Sequence, residues 1–267
     1  MKQSVIILGA RGSVPRNEAE FLYYGGATTC IILRISGQIV VVDAGTGLLK
    51  LVDYLQEQET EIPVLISHPH VDHMMGLLMC PVVFDKRRKL DIYAATRNGM
   101  NTEDQVRVLM SPPLWPIGPE ALPAHMTFQE LSADLTLGPI RVETMDGIHP
   151  GGITLMRLSG GGKRIGFVTD CTLTKELFSK LTDFFRDCDL LLCDGQYSEA
   201  EWNHRGGFGH STWIEAARLG AECGAKQVRI IHHDPERTDI ELNAAAQELL
   251  NIHPQCAFAR AGEEIML

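Results

Sequence analysis

Ser67-His68-Pro69-His70-Val71-Asp72-His73 places three imidazoles and a carboxylate within six consecutive positions, directly after the apolar run Val64–Ile66. Held that close at a strand end, these groups would repel and desolvate one another without a cation between them. Imidazole nitrogen and carboxylate oxygen are the ligands that zinc and related transition metals prefer. His68 and His70 can project together from an extended turn, whereas Asp72 and His73, adjacent at a helix entry, must point elsewhere. The spacing therefore suggests two metal positions rather than one. A histidine-rich surface turn is the bland alternative, but a cluster of that kind rarely closes an apolar strand so abruptly.

Other apolar runs must build the frame that carries this segment. Val5–Leu8, Cys30–Ile35, Ile39–Val42 and Val64–Ile66 end at turn or polar residues and read as strands, with Ser36-Gly37 as a hairpin turn. Thr46–Gln58 has helical spacing with Leu48, Leu49, Val52 and Leu55 on one side, and a helix carrying Met75, Leu78 and Met79 is expected after Asp72. Pro112, Pro113, Pro116, Pro119 and Pro123 exclude continuous helix or central strand there. Residues Met100 to Ala124 thus read as a helix start followed by a long irregular insertion. In the second half, Ile140–Thr144, Ile153–Leu158, Arg164–Thr169, Leu190–Cys193 and Val228–Ile231 read as strands. Thr174–Phe185, Thr212–Cys223 and Glu236–Asn251 read as helices. Gly160-Gly161-Gly162-Lys163 lacks the Gly-Lys-Ser/Thr ending of a phosphate loop and lies between two strands, so it reads as a hairpin turn. Two successive sets of strands, each followed by helices, predict an α/β protein with two sheets face to face and helices outside. No linker or compositional break divides residues 1–267, so one domain is expected.

Composition narrows the function classes. Hydrophobic residues at 45% and charged residues at 22% are ordinary for a soluble globular protein able to bury a sizeable core. The net charge of −10 opposes stable binding of long polyanions, which depends on Lys and Arg displacing counterions. Lys86-Arg87-Arg88-Lys89, the dense basic run, reads as a solvated turn after a helix. Seven cysteines, several in apolar runs, read as small buried hydrophobes rather than a disulfide framework. No charged-then-apolar leader and no bilayer-length apolar run are seen, so a cytoplasmic setting without a membrane partner is expected. Aromatics at 6% leave any pocket a few rings.

His-x-His-x-Asp-His after a strand resembles the metallo-β-lactamase superfamily, and the resemblance continues along the chain. Asp43-Ala44-Gly45-Thr46-Gly47 resembles the first motif of that family. His149 in His-Pro-Gly-Gly, Asp170 in Phe-Val-Thr-Asp and His232 in Ile-Ile-His-His match its remaining metal motifs in the same order. The resemblance implies the metallo-β-lactamase fold, an αββα four-layer sandwich of two mixed sheets, holding two divalent metal ions, zinc or alternatively manganese. It implies one ion on His68, His70 and His149, a second on Asp72, His73 and His232, and Asp170 bridging both. Asp43 would support a ligand loop from behind. Asp170 lies too early to cap the helix Thr174–Phe185. His233 points away from its neighbour His232 in extended chain and is expected to be structural. His125, His204 and His253 receive no role.

Lactams, thioesters, lactones and phosphodiesters are all hydrolysed on this fold, so the fold does not decide the substrate. Gly9-Ala10-Arg11-Gly12-Ser13-Val14-Pro15 resembles the opening of phosphodiesterases related to ribonuclease Z, and Gly209-His210-Ser211-Thr212 resembles their His-Ser-Thr motif. Asp194 stands where ribonuclease Z carries a Glu paired with that His. Phosphodiester cleavage expels an alkoxide, which leaves more easily when protonated. His210 can supply the proton and Asp194 can fix its tautomer, while Ser211 or Thr212 caps the following helix. The Arg-Gly-Ser opening and the Pro-Pro-x-x-Pro stretch at 112–116 are similar to cyclic-nucleotide phosphodiesterases of the anti-Pycsar type. Leu155-Met156 replaces the Tyr that often follows the His-Pro-Gly-Gly turn there. The expected reaction is hydrolysis of small, including cyclic, nucleotide phosphodiesters by a hydroxide shared between the two ions. Asp72, His210 and Asp194 are the expected catalytic residues. Leu114, Trp115 and Ile117, exposed on the proline-rich insertion, predict a homodimer with that segment near the active site. No stable nucleic-acid complex is expected. The rival readings are a ribonuclease Z-like RNA endonuclease, whose long arm has no counterpart here, a thioesterase or lactonase, and a non-catalytic binding relic.

Overall fold

The computed structural model of the protein describes residues 3–267. Its first sheet contains β1 (Ser4–Gly9), β2 (Cys30–Ile35), β3 (Gln38–Val42), β4 (Glu61–Ile66), β5 (Lys89–Ala94) and β6 (His125–Glu130). A C-terminal strand, β14 (Glu264–Met266), pairs antiparallel with β1 and gives the seven-strand order β14-β1-β2-β3-β4-β5-β6. The second sheet contains β7 (Asp134–Leu137), β8 (Ile140–Gly147), β9 (Ile153–Gly160), β10 (Lys163–Val168), β11 (Leu190–Asp194), β12 (Val228–Ile231) and β13 (Cys256–Phe258). Its order runs unbroken from β13 back to β7. Both sheets are mixed: β1 to β3 and β7 to β10 pair antiparallel, β3 to β6 and β10 to β13 parallel.

Strand side chains alternate between faces, which explains the continuous apolar runs. In β1, Val5 and Ile7 join the core between the sheets while Ile6 and Leu8 join the core outside. In β11, Leu190 and Leu192 face inward while Leu191 and Cys193 face out. Both faces of these strands are covered, so a hydrophobe at every position is stabilising. Outside the second sheet lie α2 (Lys175–Phe184), α4 (Trp213–Glu222) and α5 (Asp239–Ile252), which bury Leu177, Leu181, Ala217, Leu219, Leu242 and Leu249. Outside the first lie α1 (Thr102–Leu109) and a series of short 3-10 turns. The layers are the expected αββα sandwich, and all seven cysteines are buried and unbridged.

Several expectations need correction. Thr46–Tyr54 is a 3-10 helix, and at three residues per turn Leu48 and Leu51 face the core while Leu49 and Val52 are exposed. No α-helix follows Asp72: 3-10 turns at Val71–His73, Met75–Leu78 and Pro81–Phe84 bury Met74 and Leu77 and leave Met79 exposed. Arg88 is not a solvated cation but is buried, donating to the carbonyls of Gln56 and Glu59. β5, β6, β7, β13, β14 and the short helix α3 (Glu199–Arg205) have no counterpart among the predicted elements. The turn at Gly161-Gly162 and the irregular chain after α1 are as expected.

Candidate metal centre

The candidate residues converge on one end of the sandwich because each follows a strand running in the same direction. Asp43 follows β3, His68 to His73 follow β4, and His149 lies just past β8. Asp170 follows β10, Asp194 ends β11, and His232 follows β12. The carboxyl ends of parallel strands are the usual place for a site in such sheets. Three of these residues, Asp43 (φ 59°), Asp170 (φ 44°) and His232 (φ 60°), hold left-handed backbone. Non-glycine residues adopt that conformation at a cost, and such strain concentrates where a side chain must be aimed.

Asp170 is the centre of the cluster. Its Oδ1 lies 3.3 Å from His73 Nε2, and its Oδ2 lies 3.2 Å from His232 Nε2, 3.8 Å from His68 Nε2 and 3.9 Å from His149 Nε2. Asp72 Oδ2 lies 3.2 Å from His232 Nε2 and 3.3 Å from His73 Nε2. His70 Nδ1 faces His149 Nε2 at 3.1 Å. Two groups of possible ligands share Asp170: His68, His70, His149 and Asp170, and Asp72, His73, Asp170 and His232, each with its atoms within 4.8 Å of one another; Asp194, His210 and His232 form a third group at the same spacing.

The outward nitrogens explain why the inward ones are free. His149 Nδ1 donates to the Gly209 carbonyl at 2.9 Å, and His73 Nδ1 donates to Asp43 Oδ2 at 2.7 Å. Ser67 Oγ donates to Asp43 Oδ2 at 2.9 Å and accepts from His68 Nδ1 at 3.1 Å. His232 Nδ1 donates to Gln196 Oε1 at 3.0 Å. A proton held on Nδ1 leaves a lone pair on Nε2. His68 Nε2 and His73 Nε2 are buried and make no hydrogen bond, an arrangement costly in free energy unless a cation meets them. The donor set therefore fits divalent transition metals. Titration behaviour agrees. Burial lowers His68, His70 and His149. Burial would also lower His73 and His232, but Asp170 and Asp72 overcome it, raising His73 and pushing His232 up to about 9. Against burial, which alone would raise them, the histidines hold the Asp72 and Asp170 carboxyls well below the usual range. Without a cation, protons balance the carboxylates.

His210 Nδ1 donates to Asp194 Oδ2 at 3.0 Å, which leaves Nε2 for the cavity that the ring lines. Asp194 is fully buried and also accepts from the Cys171 and Gln196 amides. Thr212 caps α4 and its capping box with Glu215 fixes the chain just after His210. The His210 ring stacks on His232 at 4.8 Å and 15°. Thr174, not Asp170, caps α2. His233 turns away and donates from Nε2 to the Ala259 carbonyl. His125 and His204 are exposed and His253 bonds to the Ala225 carbonyl.

The Arg-Gly-Ser opening takes an unexpected part. Arg11 is fully buried, and its guanidinium donates to the carbonyls of Gly25, Asp234 and Arg237. Gly12 lies against the cluster, where a Cβ would come within 2.5 Å of the His232 ring, and the Ser13 amide donates to Asp72 Oδ2 at 2.8 Å. Ser67 and Ser13 lie inside the segments 67–73 and 9–15, and Gln196 two residues past Asp194, but none of the three stands out as a site residue in the sequence. A cavity of about 480 Å³ opens over the cluster, with Val71, Pro150, Tyr197 and Phe208 among its walls and, among the described lining residues, no Lys or Arg. A second cavity of about 500 Å³ lies beside α1 and β6 and touches none of the cluster.

A family model described as a beta-lactamase superfamily domain matches residues 38–233. Ribonuclease Z of Treponema pallidum (strain Nichols) is 22% identical over 315 residues, covering 97% of this chain and 96% of that protein. The crystal structure of the metallo-beta-lactamase fold protein YhfI from Bacillus subtilis superposes with a TM-score of 0.77 at 20% identity, covering 99% of both chains. The short form of human tRNase Z gives 0.71 at 17% identity, covering 98% of both. No helix among the described residues is long and apolar enough to cross a membrane.

Proposed function

The chain belongs to the beta-lactamase superfamily, as a hydrolase of the metallo-β-lactamase fold, and from that premise we propose that it is a phosphodiesterase acting on small, including cyclic, nucleotide diesters. The observation that carries this reading is the buried His210–Asp194 pair beside the histidine cluster. His68, His70 and His149 would hold one divalent ion, Asp72, His73 and His232 a second, and Asp170 would join both. Bound there, zinc or manganese ions supply Lewis acidity toward phosphoryl oxygen and water. The chain's own residues do the rest. His210, protonated on both nitrogens, gives its Nε2 proton to the departing oxygen and is left as neutral imidazole, while Asp194 keeps the Nδ1 proton in place and stabilises the imidazolium that precedes the transfer. Asp72 is held by the Ser13 amide so that its carboxylate faces the cluster. The names of the ribonuclease relatives favour phosphodiester chemistry over thioester or lactone hydrolysis. They also keep an RNA endonuclease as the second reading. Exposed Leu114 and Ile117 support a homodimer, although residues 111–123 do not line the cluster's cavity within one chain.

A panel of cyclic mononucleotides, linear dinucleotides and small RNAs, assayed with added zinc or manganese, tests the class. His210→Ala tests the mechanism. It should keep its metal content and lose about 10²–10⁴-fold in turnover on a nucleotide diester. The loss should shrink sharply on bis(4-nitrophenyl) phosphate, whose phenolate departs without a proton, and Asp194→Asn should show the same pattern more mildly. Equal losses on both substrates would retire the acid role.

A further inference from the structure

Resting on the phosphodiesterase reading, we infer that Phe208 is a specificity residue, stacking a flat aromatic group of a substrate that carries a single negative charge. Phe208 lines the cavity over the cluster and yet is 62% exposed. The next two residues fix its place. Gly209 (φ 90°) has room for no Cβ, which would lie 2.3 Å from His149 Nδ1, and its carbonyl accepts from that nitrogen. His210 comes next, tied to Asp194. The ring therefore stands one residue from a candidate ligand's support and two from the candidate acid. Val71, 60% exposed, and Pro150 continue the apolar rim, and the Tyr197 ring sits edge-on to His210 at 5.8 Å. A volume of about 480 Å³ falls within the roughly 300–1,000 Å³ of small-ligand pockets. Exposed aromatic faces beside a phosphoryl site bind bases by stacking, without reading hydrogen-bond pattern.

Charge points the same way. No Lys or Arg is among the described residues lining the cavity. Guanidiniums around the site are committed elsewhere: Arg205, over the Tyr197 ring, to Asp234 at 2.8 Å, Arg97, beside Gly152, to Asp146 at 2.7 Å, and Arg11 to buried carbonyls. Two divalent ions would be offset by the carboxylates of Asp43, Asp72, Asp170 and Asp194. A diester's one charge is met by the cationic form of His210 that its acid role requires, whereas a terminal phosphate or a run of phosphates would bring further charge that no Lys or Arg among the described lining residues meets. The substrate class is a monoanionic diester bearing a base, not a nucleoside polyphosphate or a long RNA.

The test compares kcat/KM for adenosine 3′,5′-cyclic phosphate with that for the same ribose cyclic phosphate lacking the base, with zinc or manganese present. The wild-type ratio should be about 5- to 150-fold, the range that stacking on an aromatic ring supplies. Phe208→Ala should bring it near one, chiefly through KM, and Phe208→Trp should keep it. The exposure of Phe208 makes loss of the fold an implausible cause. An Ala variant with the wild-type ratio, or a Trp variant as indifferent as Ala, would overturn the stacking role. ApA should also be cleaved faster than 5′-phosphorylated pApA, and the reverse order would overturn the charge argument. If the wild type cleaves none of these diesters, the phosphodiesterase reading itself falls and takes this inference with it.

Discussion

His70 reaches toward solvent, whereas Asp72, His73 and His232, on the other side of Asp170, are buried. The electrostatics of the two sides run in opposite directions. Burial lowers the imidazoles on the solvent side, while on the interior side the carboxylates of Asp170 and Asp72 outweigh burial and raise them. One side thus offers neutral nitrogen donors beside an opening, the other an anionic and enclosed pair of carboxylates with two imidazoles. A divalent cation should bind more tightly to the interior side, and exchange and substrate contact should belong to the solvent side. Asp43 complicates the division, because it orients His73 directly and His68 through Ser67.

Removing what the two sides share should have the largest effect. Asp170→Ala is expected to weaken metal binding on both sides by more than the roughly 10–100-fold typical of a supporting residue, with hydrolysis falling to background. Elemental analysis after gel filtration reads this, and retention of two ions per chain would break the idea of a common carboxylate. An intermediate effect should separate the sides. Asp43→Asn should cost about 10–100-fold in metal affinity, mainly at the interior, whereas Ser67→Ala should cost less and only at His68. Competition titrations with a zinc-sensitive dye would show whether the tight or the weak site moves; both variants acting on the same site would contradict the assignment. The smallest effect concerns what covers the opening. If a second copy's proline-rich segment closes over the solvent side, Trp115→Ala should raise KM for a cyclic nucleotide a few-fold, roughly the ~1 kcal/mol typical of one substitution, with kcat little changed. Sedimentation showing a monomer whose Trp115→Ala form is fully active would remove the dimer from the account.

What could be read before folding depended on how the chemistry was carried. His68, His70, Asp72 and His73 are close in sequence, and His149, Asp170 and His232 sit in recognisable turns, so the cluster was legible and the structure brings all seven together. The partners that set tautomers were less so. Ser67 and Gln196 are ordinary residues whose roles depend on which nitrogen faces them in space. Strands with continuous apolar runs were visible, but β5 alternates buried and half-exposed residues across Lys89–Ala94 and offers no such run. The strands β13 and β14 have three residues each, too short to show a period. At Thr46–Tyr54 the apolar residues fit a helix of 3.6 residues per turn, and only the tighter winding shows which of them are buried.

Arg11 will mislead any survey that scores residues by lost activity alone. Burial pushes its pKa down to about 10, and no solvent or substrate reaches the guanidinium. It holds the chain that places Gly12 against His232 and the Ser13 amide on Asp72. In a mutational scan, an Arg11 substitution would abolish turnover as thoroughly as a missing ligand and would be ranked with the catalytic groups. Only a parallel measure of soluble yield or protease resistance would sort it with the residues that keep the two sheets joined.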